Sequence, residues 1–123
     1  MTTATKIKPF CVTELLNFTV TEHYYRHGLT SAKYTDGVKY LAERAGAYWL
    51  IDEVCTAQHL PRVRREPFQT WKLEVHPDRS ADLAMDDGNG NVIYRKRIEF
   101  TDFPADRIAL WFADNVVLLP TEY

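Results

Sequence analysis

Residues 34–52 read Tyr-Thr-Asp-Gly-Val-Lys-Tyr-Leu-Ala-Glu-Arg-Ala-Gly-Ala-Tyr-Trp-Leu-Ile-Asp, and this stretch decides the helical part of the fold. Four apolar residues share one helical face at the spacing i, i+3, i+4 and i+7, namely Val38, Leu41, Ala42 and Ala45. The apolar positions that follow are out of phase with that face, and Gly46, a residue type favoured at left-handed helix ends, lies at the change. We therefore predict two helices, at 36–45 and 47–59; a single kinked helix is the alternative.

Further along the chain the apolar period changes from helical to two, which is typical of strands with one buried face. The alternating apolar residues are Trp71, Leu73 and Val75, followed by Ala81, Leu83 and Met85. Asn89-Gly90 predicts a two-residue hairpin turn, because these residue types tolerate the positive φ angles that such a turn needs. In that register Met85 lies opposite Tyr94, and Asp82 lies opposite Arg97.

The remaining segments complete the predicted architecture. Before and between the segments above we predict a short helix at 12–18, strand-forming residues at 19–27 and loops at 28–33 and 60–67. A third strand of the meander follows at 91–100. The chain then forms a helix that starts at Thr101-Asp-Phe-Pro104 and carries Ile108, Trp111 and Phe112, and a last strand at 116–119. We expect an α+β fold with three to four helices packed on one face of an antiparallel sheet of three to four strands. The other face carries charges of both signs, and we expect it to be solvated.

Size and composition favour one domain over residues 1–123, with residues 1–9 as a flexible leader. The formal net charge of −2 disfavours both a DNA mimic and a strongly basic DNA-binding domain. Cys11 and Cys55 form no disulfide framework, and no apolar run approaches the roughly 20 residues that span a bilayer. We therefore expect a cytoplasmic protein that does not enter a membrane.

Several segments together carry a family resemblance. They are Tyr24-Tyr-Arg-His27, Tyr34-Thr-Asp-Gly-Val-Lys-Tyr-Leu-Ala-Glu43, Ala45-Gly-Ala-Tyr-Trp-Leu-Ile-Asp52, Asp87-Gly-Asn-Gly90, Thr101-Asp-Phe-Pro104 and Leu118-Leu-Pro-Thr-Glu-Tyr123. They resemble a small family of unknown function that occurs in bacteria, notably on phages, plasmids and other mobile elements. The resemblance brings no activity, cofactor or catalytic residue. It implies a stand-alone small domain. Because small proteins of mobile elements often bind host proteins, we expect a non-enzymatic protein-interaction domain whose partner is a host or mobile-element protein, for example an inhibitor of a host defence system such as CRISPR or restriction.

Aromatic and arginine side chains give the predicted partner-binding surface, because these residue types are enriched at interaction hot spots. Its members are Tyr24, Tyr25, Arg26, His27 and Tyr40. We expect the protein to act as a monomer or a homodimer.

A second set of cations supports the alternative function, a nucleic-acid-binding accessory protein of a phage or plasmid. Its members are Arg62, Arg64, Arg65, Arg95 and Arg97. Such cations, together with exposed tyrosines, follow nucleic-acid backbones in known complexes. Acidic residues interrupt this pattern, so nucleic-acid binding ranks below protein binding.

No pattern in the sequence predicts a catalytic residue, a cofactor or a metal site. His23 and His27 have the spacing of two zinc ligands on a helix, but a strand would separate their rings by about 13 Å. Cys55 has His59 four residues away, yet its apolar helical face predicts burial rather than nucleophilic reactivity. Asp52 has no histidine in evident reach, which acid–base chemistry would require.

Overall fold

A seven-stranded sheet with its α-helices packed on one face forms the core of the computed structural model, which describes residues 10–123. The strands are β1 (Tyr24–Arg26), β2 (Lys33–Thr35), β3 (Phe68–Val75), β4 (Ala81–Asp86), β5 (Val92–Ile98), β6 (Arg107–Ala113) and β7 (Val116–Leu118). The helices are α1 (Asp36–Ala45), α2 (Tyr48–Thr56) and α3 (Pro61–Arg64), with 3-10 turns at Val12–Asn17, Ala57–His59 and Pro120–Glu122. The predicted leader lies outside the described residues.

The helical stretch forms two helices, as its phase change predicts. Thr35 caps α1, because its hydroxyl accepts a hydrogen bond from the Val38 amide at 3.3 Å. Gly46 ends α1 in the left-handed region, with φ of 63°. Ala47 is also non-helical, with φ of −116°, before α2 starts at Tyr48, so the alternative of one kinked helix is excluded.

The sheet is larger and more mixed than predicted. Its strand order is β1-β2-β7-β6-β3-β4-β5, and every neighbouring pair is antiparallel except β2 and β7, which are parallel. The prediction of an antiparallel sheet of three to four strands is therefore wrong. It missed β2 and β6, which join the meander β3-β4-β5 to the edge strand β1.

The segment predicted as a helix from Thr101 to Phe112 contains strand β6 instead. β6 pairs with β3 over seven residue pairs, from Phe68↔Ala113 to Glu74↔Arg107. Residues 108–113 form a continuous apolar run, which is as consistent with a buried strand as with a helix. The long pairing with β3 decides between the two readings.

The hairpin between β4 and β5 has the predicted register but a longer turn. Met85 pairs with Tyr94, and Asp82 pairs with Arg97, as predicted. A bulge shifts the register between Met85 and Asp86, so that Asp86 pairs with Val92 and five residues form the loop. The positive φ angles fall on Gly88 and Gly90 rather than on an Asn-Gly pair.

Three shorter segments differ from their predictions in extent. The strand expected at 19–27 forms only β1, because three residue pairs with β2 are all that hold it. The loop expected at 60–67 contains the one-turn helix α3, which starts with Pro61 at a position that tolerates the missing amide hydrogen. The last strand forms as β7.

The core lies between the helices and the inner face of the sheet. The sheet contributes Trp71, Leu73, Leu83, Met85, Leu110 and Val117, and the helices contribute Val38, Leu41, Leu50, Ile51 and Val54. Successive strand residues point to opposite faces. Each inner residue therefore has a neighbour on the other face. No α-helix of residues 10–123 covers that face, which we call the open face.

Candidate functional site: the open face of the sheet

Three aromatic rings from distant parts of the chain meet on the open face. The ring centroids of Phe68 and Trp111 are 5.0 Å apart, those of Trp111 and Tyr123 are 5.2 Å apart, and those of Phe68 and Tyr123 are 5.8 Å apart. All three pairs are edge-to-face, a favourable arrangement of aromatic quadrupoles. Tyr123 stays 76% exposed, so the cluster presents ring surface to solvent.

The position of Tyr123 is fixed by the residue before it. The Glu122 carboxylate accepts hydrogen bonds from the Thr35 hydroxyl at 2.6 Å, the Gly37 amide at 3.0 Å and the Leu119 amide at 2.9 Å. These bonds tie the last 3-10 turn to the start of α1. A Cβ on Gly37 would lie 2.5 Å from Leu119 Cδ1, so only glycine allows this close approach.

A fourth ring extends the aromatic surface toward the edge of the sheet. Tyr24 on β1 pairs with Thr35 and is 59% exposed on the open face. A shallow pocket of about 240 Å³ lies between the Tyr24 and Tyr123 side chains. Arg26 and Lys33 form the next cross-strand pair on the same face, and neither side chain has a hydrogen-bond or ion-pair partner among the described residues.

A second depression, of about 480 Å³, lies at the opposite end of the open face. Its small side chains are Ala84 and Ala109, which flank Lys72 in one cross-strand row. The Lys72 ammonium leans toward Asp86, with 3.5 Å between Nζ and Oδ2. Charged residues surround this depression, namely Glu74, Asp82, Arg95 and Arg107.

The five residues of the predicted partner-binding surface lie in three different settings. Tyr24 and Arg26 point to the open face. Tyr25 lies on the other side of β1, where its ring stacks on that of Tyr34 with centroids 5.7 Å apart. Its hydroxyl donates to Asp36 at 2.8 Å, and this bond raises the pKa of the Tyr25 phenol.

Tyr40 is held by a network on the outer side of α1. Its hydroxyl donates to Glu14 at 2.6 Å, and the Arg44 guanidinium donates to the same carboxylate at 2.9 and 3.0 Å. These bonds, led by those from Arg44, lower the pKa of Glu14 to about 2. The Tyr25 and Tyr40 rings line a shallow groove of about 400 Å³, which Tyr24 does not share.

His27 is buried and joins the β1–β2 loop to α2. Its Nε2 lies 2.7 Å from Asp52 Oδ1, and its Nδ1 lies 3.0 Å from the Thr30 hydroxyl. The expectation that Asp52 has no histidine in reach is therefore wrong. No local sequence pattern indicates this contact, because 25 positions separate the two residues. Both ring nitrogens of His27 have hydrogen-bond partners, so the contact links the loop to α2 and has a structural role.

The other candidate groups for catalysis or metal binding are dispersed. Cys55 is buried, as its helical face predicts, and burial raises the pKa of its thiol to about 11. His23 lies outside the strand, with its Nδ1 3.5 Å from Asp36. Within residues 10–123, no group of three or more His, Cys, Asp or Glu side chains is placed to hold a metal ion.

The predicted nucleic-acid residues divide between the two sides of the sheet. Arg95 and Arg97 point to the open face. Arg62 lies over the Tyr94 ring on the helix side, with 5.9 Å from Cζ to the centroid, and Arg64 donates to the carbonyls of Gln58 and His59. Arg65 follows α3 directly, and its side chain has no hydrogen-bond or ion-pair partner among the described residues. The two groups of arginines therefore form no single cationic surface.

Sequence reasoning missed most of the open-face site. Phe68 and Tyr123 received no role, Trp111 was placed on a helix, and Arg107 was not singled out. The alternation of Ile108, Leu110 and Phe112 was the available signal, since as a strand it turns Trp111 and Arg107 to the other face.

Comparison with known proteins gives a family but no function. The model of a family described as "Family of unknown function (DUF6876)" matches residues 10–123. This match confirms the resemblance to a family of unknown function. No curated protein and no solved structure matches the chain. In the described part of the chain, no helix has both the length and the apolar character that a membrane crossing requires.

Proposed function

We propose that this protein, which belongs to the DUF6876 family of unknown function, is a non-enzymatic interaction domain that binds a protein partner with the open face of its sheet. The observation that carries the proposal is the exposed aromatic surface of Tyr24 and Tyr123 beside the Phe68 and Trp111 rings. Tyr and Trp, with Arg, are the residue types that contribute most to protein interfaces. The ring cluster supports a binding role for this face beside its solvated charged residues.

The edges of the sheet are poor sites for a partner strand, so the open face is the better binding surface. At one edge β1 is only three residues long, too short to offer a template for a partner strand. At the other edge β5 carries Arg95, Lys96 and Arg97 in sequence. Consecutive charges on an edge strand oppose the addition of further strands.

The rigidity of the aromatic surface also favours binding. Glu122 holds the last turn through three hydrogen bonds, so Tyr123 is positioned before a partner arrives. A side chain that is already ordered loses less conformational entropy on association. The ring contacts with Phe68 and Trp111 restrict Tyr123 further.

The partner that we propose is a host or mobile-element protein in the cytoplasm. The sequence resemblance to proteins of phages and plasmids supports this, and a host defence complex such as CRISPR or restriction is the first candidate. Both cysteines, Cys11 and Cys55, are free thiols, which suits a reducing compartment.

Quantitative capture from a bacterial lysate tests the proposal. Immobilised protein is compared with the double variant Tyr24→Ala, Tyr123→Ala, which removes exposed rings and leaves the core intact. Loss of two interface tyrosines should weaken partner retention about tenfold or more. The matched control is Tyr48→Ala, since Tyr48 is exposed on the helix side. Equal retention by wild type and the double variant would contradict the proposal.

Nucleic-acid binding is the second candidate function, because Arg95 and Arg97 share the open face with the rings. A gel-shift titration with a short single-stranded oligonucleotide at low salt tests it. Binding that weakens in the variant Arg95→Ala, Arg97→Ala but not in Arg62→Ala, Arg64→Ala would favour nucleic acid over protein.

A further inference from the structure

The groove on the outer side of α1 has aromatic walls, and we call it the α1 groove. The rings of Phe18, Tyr25 and Tyr40 line it, and its volume is about 400 Å³. The Phe18 and Tyr40 ring centroids lie 5.0 Å apart, so these two rings form a continuous surface. Val20, which is 73% exposed, adds apolar surface. The faces of aromatic rings attract cations, because their π electrons carry negative charge.

The carboxylates of the α1 groove outnumber its cations. Asp36 and Glu43 lie on the same face of α1 as Lys39, and Glu22 lines the groove from the segment before β1. The Glu22 side chain has no hydrogen-bond or ion-pair partner among the described residues. His23 also approaches Asp36, with 3.5 Å between Nδ1 and Oδ1. Even with His23 protonated, the groove keeps an excess of negative charge.

The ammonium of Lys39 shows that a cation fits in the α1 groove. Its Nζ lies 5.3 Å from the centroid of the Tyr25 ring and 2.9 Å from Glu43 Oε2. The groove therefore already holds one cation between a ring and a carboxylate. Because Lys39 and Glu43 are both partly exposed, their ion pair is weak, and a competing cation can displace Lys39 from the ring.

Both tyrosine rings of the α1 groove are held in place before a ligand binds. The Tyr25 hydroxyl donates to Asp36 at 2.8 Å, and the Tyr40 hydroxyl donates to Glu14 at 2.6 Å. Side chains that are already ordered lose less conformational entropy on binding. The Asp36 carboxylate also accepts from the Glu22 amide, the largest cause of the fall in its pKa to about 2. Asp36 is therefore negatively charged at neutral pH.

We propose that the α1 groove binds an arginine side chain of a second protein, and that Lys39 takes this place while no ligand is bound. The apolar stem of an arginine can cover the rings, while its guanidinium stacks on an aromatic face and binds carboxylates. A nucleic-acid strand fits poorly, because its phosphates would face Glu22, Asp36 and Glu43. The α1 groove lies on the helix side, so this site goes beyond the proposed function and does not depend on the open face.

The test is a titration of the full chain, labelled with nitrogen-15, followed by nuclear magnetic resonance. The probe is acetyl-Ser-Gly-Arg-Gly-Ser-amide, and the control peptide carries citrulline, the neutral isostere, in place of arginine. We expect the probe to shift the amide signals of Glu22, Lys39 and Tyr40. The citrulline peptide should bind about threefold more weakly, since one exposed ion pair contributes a factor of this order.

Three variants assign the effect to named side chains. Lys39→Gln removes the competing ammonium and should strengthen binding of the arginine peptide about threefold. Glu22→Gln breaks no contact within the described residues and should weaken it about threefold. The matched control is Glu74→Gln, the same substitution on the open face, which should leave the affinity unchanged.

Three results would overturn the inference. They are equal affinity of the two peptides for the wild type, weaker binding of the arginine peptide by Lys39→Gln than by the wild type, and a wild-type dimer that Glu22→Gln dissociates in analytical ultracentrifugation. The dimer would mean that a second copy of this chain, rather than another protein, occupies the groove. The variant Tyr24→Ala, Tyr123→Ala should bind the arginine peptide as the wild type does, so the α1 groove and the open face are tested separately.

Discussion

The two faces of the sheet differ in whether their polar side chains have hydrogen-bond partners within the protein. On the helix side, Gln69 is fully buried, and its amide donates to the carbonyl oxygens of Val63 and Glu66 while its oxygen accepts from the Trp71 indole. On the open face, Glu74 on the same strand has no partner among the described residues. A buried polar group without a partner would be costly, whereas an exposed one keeps its water. The fold therefore fixes the polar side chains on the helix side through hydrogen bonds, and leaves polar side chains on the open face available to a partner.

The largest expected effect on stability comes from replacing one of two tryptophans, which lie on opposite faces of the sheet. Trp71 is 1% exposed in the core, and Trp111 is half-buried on the open face. Trp71→Ala should lower the free energy of unfolding by about 3–5 kcal/mol, because it leaves a cavity and removes one of the two hydrogen bonds that the Gln69 oxygen accepts. Trp111→Ala should cost about 1 kcal/mol.

Urea unfolding followed by circular dichroism measures both values without relying on tryptophan fluorescence. If Trp71→Ala does not fold, Trp71→Phe keeps the comparison usable with a smaller loss. Equal costs for the two positions would mean that the open face is as tightly packed as the core, which would remove the distinction between the faces.

The second-largest effect on stability is expected from replacing one of two glutamates. Glu122→Gln should lower the free energy of unfolding by about 1–3 kcal/mol, because the carboxylate accepts three hydrogen bonds at the start of α1. Glu74→Gln on the open face should change it by less than about 0.5 kcal/mol. The same unfolding assay measures both, and a loss at Glu74 equal to that at Glu122 would show that Glu74 has a structural role.

The sequence predicts the parts of this fold that local patterns determine. The phase change at Gly46 locates both helices, and the alternation around Met85 sets the register of the hairpin. β6 was mistaken for a helix because Ile108, Trp111 and Phe112 fit the helical spacing as well as a strand period. Short apolar runs are ambiguous in this way, and only the pairing with β3 resolves them.

The candidate site was harder to predict because its parts are distant in the chain. Phe68, Trp111 and Tyr123 meet only after β3 and β6 pair and the last turn folds back. The predicted surface at Tyr24–His27 illustrates the same limit. Once the segment is a strand, alternate residues point to opposite faces, so a run of neighbours in sequence divides into an exposed pair and an internal pair.

The smallest of the three effects is a dependence of stability on pH that comes from two carboxyls on the helix side. The pKa of Glu14 is lowered to about 2, chiefly by hydrogen bonds from Arg44 and Tyr40. That of Asp36 is lowered to about 2, chiefly by the Glu22 amide and the Tyr25 hydroxyl. Both carboxyls have lower pKa values in the folded than in the unfolded chain. Their contribution is therefore complete above about pH 5 and disappears as the pH falls toward 2.

The double variant Glu14→Gln, Asp36→Asn should be less stable than wild type near neutral pH. It should also lose less further stability on acidification, because two groups that take up protons on unfolding are gone. Urea midpoints at about pH 7, 4 and 2.5 measure the two slopes. Parallel slopes would show that these two carboxyls do not account for the acid sensitivity. The helix side would then owe its stability to apolar packing, and the contrast between the faces would rest on burial rather than on satisfied charges.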